Sequence, residues 1–242
     1  MLRSLNEIMR FQLLGIDKKI GRCKDFLFDD KLWVIRYIVA DSKEWLSKDR
    51  KVLISTISLR EPYWEQYQFP LDLTRSKIEN SPLVGEHQKI SHQYETELFE
   101  YYGYAYYWMN EGLWRTSPSP MPLVETQLSK DNSKIKSEDW HLRSTDEVKK
   151  FKIYTTDQQV AHIDDFILND DNWTISYIVI DTRHWVPGGR KVLISHKCID
   201  AVNWAGCSIT VNVNAQKIIE NPLFDLERFI DPDYESQLRK YY

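Results

Sequence analysis

Two histidines in the first half of the chain are the residues best suited to chemistry. His87 and His92 stand close to Glu86 and Glu95, and imidazole and carboxylate groups can bind metal ions or exchange protons. A spacing of five residues does not place both rings on one face of a helix. The chain repeats itself 140 residues later, and the repeat holds no histidine at either position. We therefore predict neither a metal site nor an acid–base pair here.

Two short polar runs and two serines could also suggest chemistry. Asp29-Asp30 and residues 169–172 carry oxygens of the kind that bind calcium, but the spaced acidic pattern of a calcium loop is missing, which favours polar turns. Ser55 and Ser195 follow apolar segments without the G-x-S-x-G turn that exposes a nucleophile. Neither a P-loop nor a G-x-G-x-x-G motif occurs in the sequence. We predict that the protein is not an enzyme and has no catalytic residue, cofactor or resident metal.

The dominant pattern in the sequence is an internal duplication. Each residue of the first half corresponds, without a gap, to the residue 140 positions later, and roughly a third of these pairs are identical. The run Arg-Lys-Val-Leu-Ile-Ser at 50–55, for example, recurs at 190–195. Because the period is as long as a domain, it predicts two similar domains rather than a solenoid. The predicted domains are 1–102 and 142–242, joined by an aromatic, proline-rich linker at 103–141.

The clearest secondary-structure signal is a strand that begins at Trp33. A period of two places Trp33, Ile35, Tyr37 and Val39 on one face, and all four recur unchanged in the second copy. We expect this face to point into the core. Further strands are predicted at 8–14, 19–28, 52–54 and 63–71, with helices at 74–80 and 92–102, and with equivalents in the second copy. Many short strands without alternating long helices predict a mostly β fold with short helices, built as two small β-barrels in tandem.

Composition limits the environment and the partners. The chain is 42% hydrophobic and 28% charged, as in a globular protein, and it has no apolar run long enough to span a membrane. We therefore expect no membrane insertion and a cytoplasmic location. The net charge of −4, without a basic segment, predicts no direct binding to nucleic acid. Cys23, Cys198 and Cys207 form no C-x-x-C pair, which fits reduced thiols.

The arrangement of these residues resembles the PRC-barrel family. The resemblance rests on both copies of the pattern that runs through Ile20–Asp29, Trp33–Asp41, Arg50–Ser55, Lys77-Ile78 and Ser81-Pro82. The family includes the cytoplasmic barrel of the photosynthetic reaction-centre H subunit and the C-terminal domain of a small-subunit ribosome maturation factor. The resemblance implies two PRC-type barrels in tandem that act as an interaction platform and carry no inherited catalytic residues.

Aromatic and arginine side chains on connections are candidates for partner contact, because these residue types dominate binding hot spots. Trp45 and Trp185 precede an arginine that is present in both copies, Arg50 and Arg190. Each tryptophan could instead plug the end of a barrel. The segment 101–108 holds six large aromatic residues, more than a solvated linker should carry, so a barrel or a partner must cover it. The candidate partner-binding residues are Trp45, Arg50, Tyr104, Tyr106, Trp108, Trp185 and Arg190.

These observations predict a non-catalytic protein-interaction or scaffolding module that binds a protein partner or associates with itself as a homo-oligomer. Duplicated units could present two related surfaces and so bind a repeated partner with avidity. Two alternatives remain open at this point. One is an adaptor in ribosome or RNA maturation, which would act through a ribosomal protein because the chain is acidic. The other is an enzyme or small-ligand binder with a site between the two barrels.

Overall fold

The computed structural model describes residues 1–41, 51–85, 89–106, 141–157, 160–183, 189, 191–221 and 224. Within these residues the fold is mostly β with short helices, which confirms that part of the prediction. The strands are β1 (Leu2–Ser4), β2 (Gln12–Leu14), β3 (Lys19–Asp29), β4 (Val34–Asp41), β5 (Val52–Ser55), β6 (Gln68–Pro70), β7 (Leu142–Ser144), β8 (Lys152–Tyr154), β9 (Val160–Asn169), β10 (Thr174–Asp181), β11 (Lys191–Ser195), β12 (Ile199–Asn203) and β13 (Ser208–Val211). The helices are α1 (Leu5–Ile8), α2 (Arg75–Glu79), α3 (His92–Tyr102), α4 (Thr145–Val148) and α5 (Ala215–Ile219).

The chain divides into two compact units, and each unit combines separate stretches of sequence. Unit 1 consists of Met1–Met9, Asp25–Ile35 and Arg143–Tyr242, and unit 2 consists of Arg10–Lys24 and Arg36–Leu142. These boundaries differ from those of the sequence repeats, because two segments of the first repeat group with the second repeat. The assignment of one closed barrel to each repeat stays a prediction.

Unit 1 is built around the long antiparallel pair β9 and β10. Strand β10 also pairs with β11, and β9 pairs with β8, both antiparallel. Strand β8 runs parallel to β13, which pairs with β12, and β1 pairs with β9. A core cluster of this unit contains Ile167, Tyr177, Val179, Leu193 and Phe224.

Matching residues of the two repeats meet reciprocally inside unit 1. The N–H of Ile35 donates to the carbonyl oxygen of Trp173 at 2.8 Å, and the N–H of Ile175 donates to the carbonyl oxygen of Trp33 at 2.7 Å. In the same way, β1 pairs with β9, and its repeat, β7, pairs with β3. Unit 1 therefore relates parts of the two repeats by an approximate twofold symmetry.

Unit 2 contains the remaining strands of the first repeat and helices α2 and α3. Strand β2 pairs antiparallel with the first part of β3 and parallel with β6, and β4 pairs antiparallel with β5. Leu13, Ile54 and Phe69 are fully buried in this unit. Helix α3 is joined to the sheet by Tyr37, whose hydroxyl donates to Glu95 Oε1 at 2.8 Å in a buried environment.

The predicted core face of β4 is confirmed, because Trp33, Ile35, Tyr37 and Val39 are all buried. Ile38 on the opposite face is buried as well, so this strand is covered on both sides along part of its length. Trp33 itself lies in the turn before the strand. It adopts a left-handed backbone with φ of 56°, and its N–H closes the turn by donating to the carbonyl oxygen of Asp29.

No helix in the described part of the chain has the length and apolar character of a transmembrane segment. The longest helix there, α3, has 11 residues.

Candidate partner-binding surfaces

Several residues that were considered for catalysis or calcium binding have local structural roles in the described part of the chain. Ser55 and Ser195 each cap a short 3-10 helix by accepting a hydrogen bond from a backbone N–H two residues later. Asp29 Oδ1 accepts from the N–H groups of Lys31 and Leu32, and Asn169 Oδ1 accepts from the N–H of Asp171, so the predicted polar turns are confirmed. These side chains organise the backbone of turns and strand ends.

Of the histidine and glutamate candidates, His92 and Glu95 lie on helix α3, and Glu86 lies outside the described residues. His92 is half-buried at the first residue of the helix, and burial lowers the pKa of its imidazole. Glu95 is buried and accepts the hydrogen bond from Tyr37 that attaches the helix to the sheet. His87 lies outside the described residues.

Of the predicted partner-binding residues, only two lie in the described part of the chain. Tyr104 and Tyr106 follow helix α3 in unit 2. The remaining candidates lie outside the described residues: Trp45, Arg50, Trp108, Trp185 and Arg190.

The two tyrosines fold back onto the helix that precedes them. Helix α3 ends at Gly103, whose left-handed backbone with φ of 75° reverses the chain, as a glycine at this position commonly does. The Tyr104 ring then meets the edge of Phe99 at a centroid distance of 5.7 Å, and the Tyr106 ring stacks on Phe99 at 6.2 Å. Tyr102 stacks on Tyr104 at 5.3 Å.

Three hydroxyl groups of this cluster have hydrogen-bond partners within unit 2. The hydroxyl of Tyr104 is hydrogen-bonded to the hydroxyl of Ser58, and Tyr101 donates to the carbonyl oxygen of Lys77 at 2.8 Å. Tyr106 donates to Glu100 Oε1 at 2.9 Å, and burial together with this contact raises the pKa of Tyr106 to about 12. Tyr104 thus has a packing role, whereas Tyr106 is half-exposed at the edge of the cluster.

A second aromatic surface, which the sequence interpretation missed, lies on the turn before β6. We call residues 61–67 of unit 2 the tyrosine loop. Tyr63 is 52% exposed and Tyr67 is 64% exposed, while Trp64 between them is half-buried. Tyrosine is enriched at binding hot spots, so two exposed tyrosines on one turn form a candidate contact surface.

Backbone hydrogen bonds hold the tyrosine loop in one conformation. The N–H of Tyr63 donates to the carbonyl oxygen of Gln68 at 2.9 Å, and the N–H of Gln68 donates back to Tyr63 at 3.2 Å. The N–H of Gln12 in β2 donates to the carbonyl oxygen of Tyr67 at 2.9 Å. The backbone of the loop is therefore attached to the sheet on both sides.

Tyr67 occupies a backbone conformation that favours glycine or asparagine. Its φ is 57°, in the left-handed region, which costs a residue with a side chain about 1 kcal/mol. Its ring is perpendicular to that of Phe11 at a centroid distance of 5.4 Å, yet most of the residue remains exposed. The chain thus keeps a tyrosine where backbone preference alone would favour a smaller residue.

The second repeat has the same turn without its tyrosines. Cys207, the counterpart of Tyr67, also has a left-handed backbone with φ of 49°, and its carbonyl oxygen accepts from Lys152 as that of Tyr67 accepts from Gln12. Six of the seven loop positions differ between the repeats, and only the central tryptophan is kept. The differences include Glu61, Tyr63, Glu65 and Tyr67 in the first copy, where the second has Ala201, Asn203, Ala205 and Cys207.

This comparison between the repeats is the signal that sequence reasoning could have used. The fold of the turn needs neither the tyrosines nor the carboxylates, because the second copy forms it without them. Binding residues are often found on exposed loops, so the tyrosines and carboxylates are candidates for an interaction rather than parts of the architecture.

The central tryptophan of the second turn shows what this type of turn can bind. The guanidinium group of Arg143 lies 4.2 Å from the centre of the Trp204 ring, and Arg143 Nε also pairs with Asp30 Oδ2 at 2.8 Å. Phe151 supports the tryptophan from its edge at a centroid distance of 5.8 Å. Within unit 1, therefore, an arginine is held between an aromatic ring and a carboxylate.

In comparison with known proteins, no family model matches the chain, and no curated protein matches it at a significant level.

Proposed function

We propose that this protein is a non-catalytic interaction module, built from two PRC-type barrels, that binds a protein partner through the tyrosine loop. The observation that carries the proposal is the exposure of Tyr63 and Tyr67 on a turn that backbone hydrogen bonds hold in place. Support for the two barrels comes from the duplication and from the residue pattern shared with PRC-barrel proteins.

Tyrosines on a rigid turn are favourable binding residues. A tyrosine offers a large contact area and a hydroxyl group, and it loses little side-chain entropy when it is fixed by a partner. Because the turn is already ordered, binding requires little further ordering of the backbone. Phe11 contacts both Trp64 and Tyr67, at ring-centroid distances of 5.9 Å and 5.4 Å.

The two repeats do not present the same surface at this turn. The second copy has Asn203 and Cys207 where the first has Tyr63 and Tyr67. A partner that binds the tyrosines therefore meets one such site in each chain, and avidity through this turn would require the protein to associate with itself.

Affinity purification of the full chain from its native source, with quantitative mass spectrometry, tests the proposal. The wild type is compared with a variant that carries Tyr63→Asn and Tyr67→Asn, because asparagine tolerates the left-handed backbone. Ile16→Asn, at another exposed apolar side chain of unit 2, is the matched control.

The proposal expects one protein, or a second copy of the chain, to be retained at a fixed stoichiometry by the wild type and the control. The double variant should lose this protein while its thermal unfolding stays within about 2 °C of the wild type. Equal retention by all three proteins, or no stoichiometric component in repeated purifications, would overturn the proposal.

A further inference from the structure

We infer that the tyrosine loop binds a cationic segment of its partner, with an arginine side chain placed against Tyr63 or Tyr67 and paired with Glu61 or Glu65. This inference rests on the proposed function and adds to it the chemical class of the partner. It depends on the composition of the loop, on the electrostatics of its surroundings and on the arginine that unit 1 holds at the equivalent turn.

The tyrosine loop combines the two features that attract a guanidinium group. Aromatic faces carry negative potential, and Tyr63 and Tyr67 are largely exposed. Glu61 and Glu65 are exposed on the same loop, and the loop contains no basic residue. The surface therefore offers both ring faces and carboxylates to an approaching cation.

Arg60, which precedes the loop, already forms an ion pair with another residue. The guanidinium group of Arg60 is paired with the carboxylate of Asp72. In the second repeat these positions hold Asp200 and Asn212, so the ion pair, the two tyrosines and the two glutamates are all confined to the first copy.

Unit 1 contains a related contact at the equivalent turn. Arg143 lies over Trp204, the counterpart of Trp64, and is paired with Asp30, which lies outside the turn, so an aromatic ring on this type of turn accepts an arginine when a carboxylate is near. A planar guanidinium can stack on a ring and pair with a carboxylate at the same time, whereas an ammonium group cannot do both as well. This favours arginine over lysine in the partner.

Fluorescence anisotropy with labelled synthetic peptides tests this inference on the full chain. The probe is a short peptide of alternating arginine and glycine, and the comparison peptides replace arginine with lysine, glutamate or proline. The first variant gives the loop the character of the second copy through Glu61→Ala, Tyr63→Asn, Glu65→Ala and Tyr67→Asn. The reciprocal variant carries Ala201→Glu, Asn203→Tyr, Ala205→Glu and Cys207→Tyr, and Ile16→Asn is again the control.

The arginine peptide is expected to bind the wild type and the control alike, and to bind the first variant at least tenfold more weakly, because the cation–π contact and the charge pair are both removed. The reciprocal variant should bind it more tightly than the wild type does. Glu65→Gln alone should weaken binding and reduce its dependence on salt, since one charge is removed without loss of shape.

Equal binding of the arginine peptide to the wild type and the first variant would overturn the inference, as would preferential binding of the glutamate or proline peptide. The outcome is separable from the test of the proposed function. If Tyr63→Asn and Tyr67→Asn abolish retention of a native partner, but the arginine peptide neither binds the wild type nor competes with that partner, the interaction module stands and its cationic ligand does not.

Discussion

The hydroxyl group of Ser4 donates a hydrogen bond to Asp165, although the two residues belong to different sequence repeats. The same relationship holds with the repeats exchanged, because Ser144 donates to Asp25. In both cases the serine also caps the short helix that follows it, by accepting from the N–H of the glutamate three residues later. The opening segment of each repeat is therefore fixed in unit 1 by an aspartate of the other repeat.

Replacing Ser4 should destabilise the protein more than replacing an ordinary helix cap. Ser4→Ala removes the cap and leaves Asp165, which is fully buried, without one of its donors. We expect the free energy of unfolding to fall by about 2 kcal/mol, measured by urea denaturation. Ser144→Ala, at the half-buried counterpart, is the matched comparison and should cost less. A double-mutant cycle with Asp165→Asn should show coupling between Ser4 and Asp165; additive effects would contradict the direct contact.

The pH dependence of stability should reveal the burial of Asp165. Burial raises the pKa of its carboxyl group above 3.8, although hydrogen bonds from Ser4 and the charge of Lys149 oppose this. The contribution of the protonated Asp165 to the free energy of unfolding is thus complete below pH 3.8, and it is lost as the pH rises through the pKa of the folded state. Relative to Asp165→Asn, the wild type should lose up to about 1.4 kcal/mol per pH unit over that interval. Urea denaturation of both proteins across acidic pH measures the difference; parallel curves would contradict it.

The pairing of each repeat's opening segment with a strand of the other repeat could not be predicted from the duplication. A duplication aligns Ser4 with Ser144 and Asp25 with Asp165, but the same alignment is compatible with pairing inside a repeat or between repeats. The hydrophobic pattern fixed the face of β4 well, because burial of alternate residues is a local property. Which strand lies beside β1 depends on distant contacts, and the sequence carries no local signal for them.

The tyrosine loop was not among the predicted partner-binding residues, for a similar reason. The run of aromatic residues that includes Tyr104 and Tyr106 attracted attention by its density, and the structure places both tyrosines against Phe99. Tyr63 and Tyr67 were missed because strand periodicity assigned them to a predicted strand over 63–71, whereas the strand there begins at Gln68. The left-handed backbone of Tyr67 cannot be read from a tyrosine, since that conformation is typical of glycine and asparagine.

Protonation of His196 should destabilise the protein in mildly acidic solution. Its ring stacks on Trp33 at a centroid distance of 6.2 Å, its Nδ1 lies 3.1 Å from the carbonyl oxygen of Ser176, and burial lowers its pKa below 6.5. The contribution of the neutral His196 ring to stability is therefore complete above pH 6.5, and it is lost as the pH falls through the lowered pKa. His196→Thr introduces the residue of the first repeat, Thr56, and should remove this dependence. Urea denaturation between pH 7.5 and 5 compares the two proteins; identical pH profiles would contradict the assignment.

Arg143 should contribute more to stability than an exposed ion pair does. Its guanidinium group contacts the Trp204 ring and Asp30, and its side chain is 20% exposed. Arg143→Lys keeps the charge but loses the planar stack, so we expect a loss of about 1 kcal/mol in the free energy of unfolding. Lys150→Gln breaks the exposed pair with Asp146 and should change stability by less than about 0.5 kcal/mol. Equal effects of the two substitutions would show that the tryptophan contact adds nothing.

Substitutions of Tyr104 separate packing from partner binding in the aromatic cluster after helix α3. Tyr104→Phe removes the hydrogen bond to Ser58 but keeps the contacts with Phe99 and Tyr102, so it should cost about 1 kcal/mol. Tyr104→Ala also removes the ring and should cost about 3 kcal/mol or more, seen as a lower melting temperature. If Tyr104 instead contacts a partner, Tyr104→Ala would leave the melting temperature unchanged and abolish retention of that partner. Tyr106→Phe is the control, because it removes only a half-exposed hydroxyl contact and should change stability little.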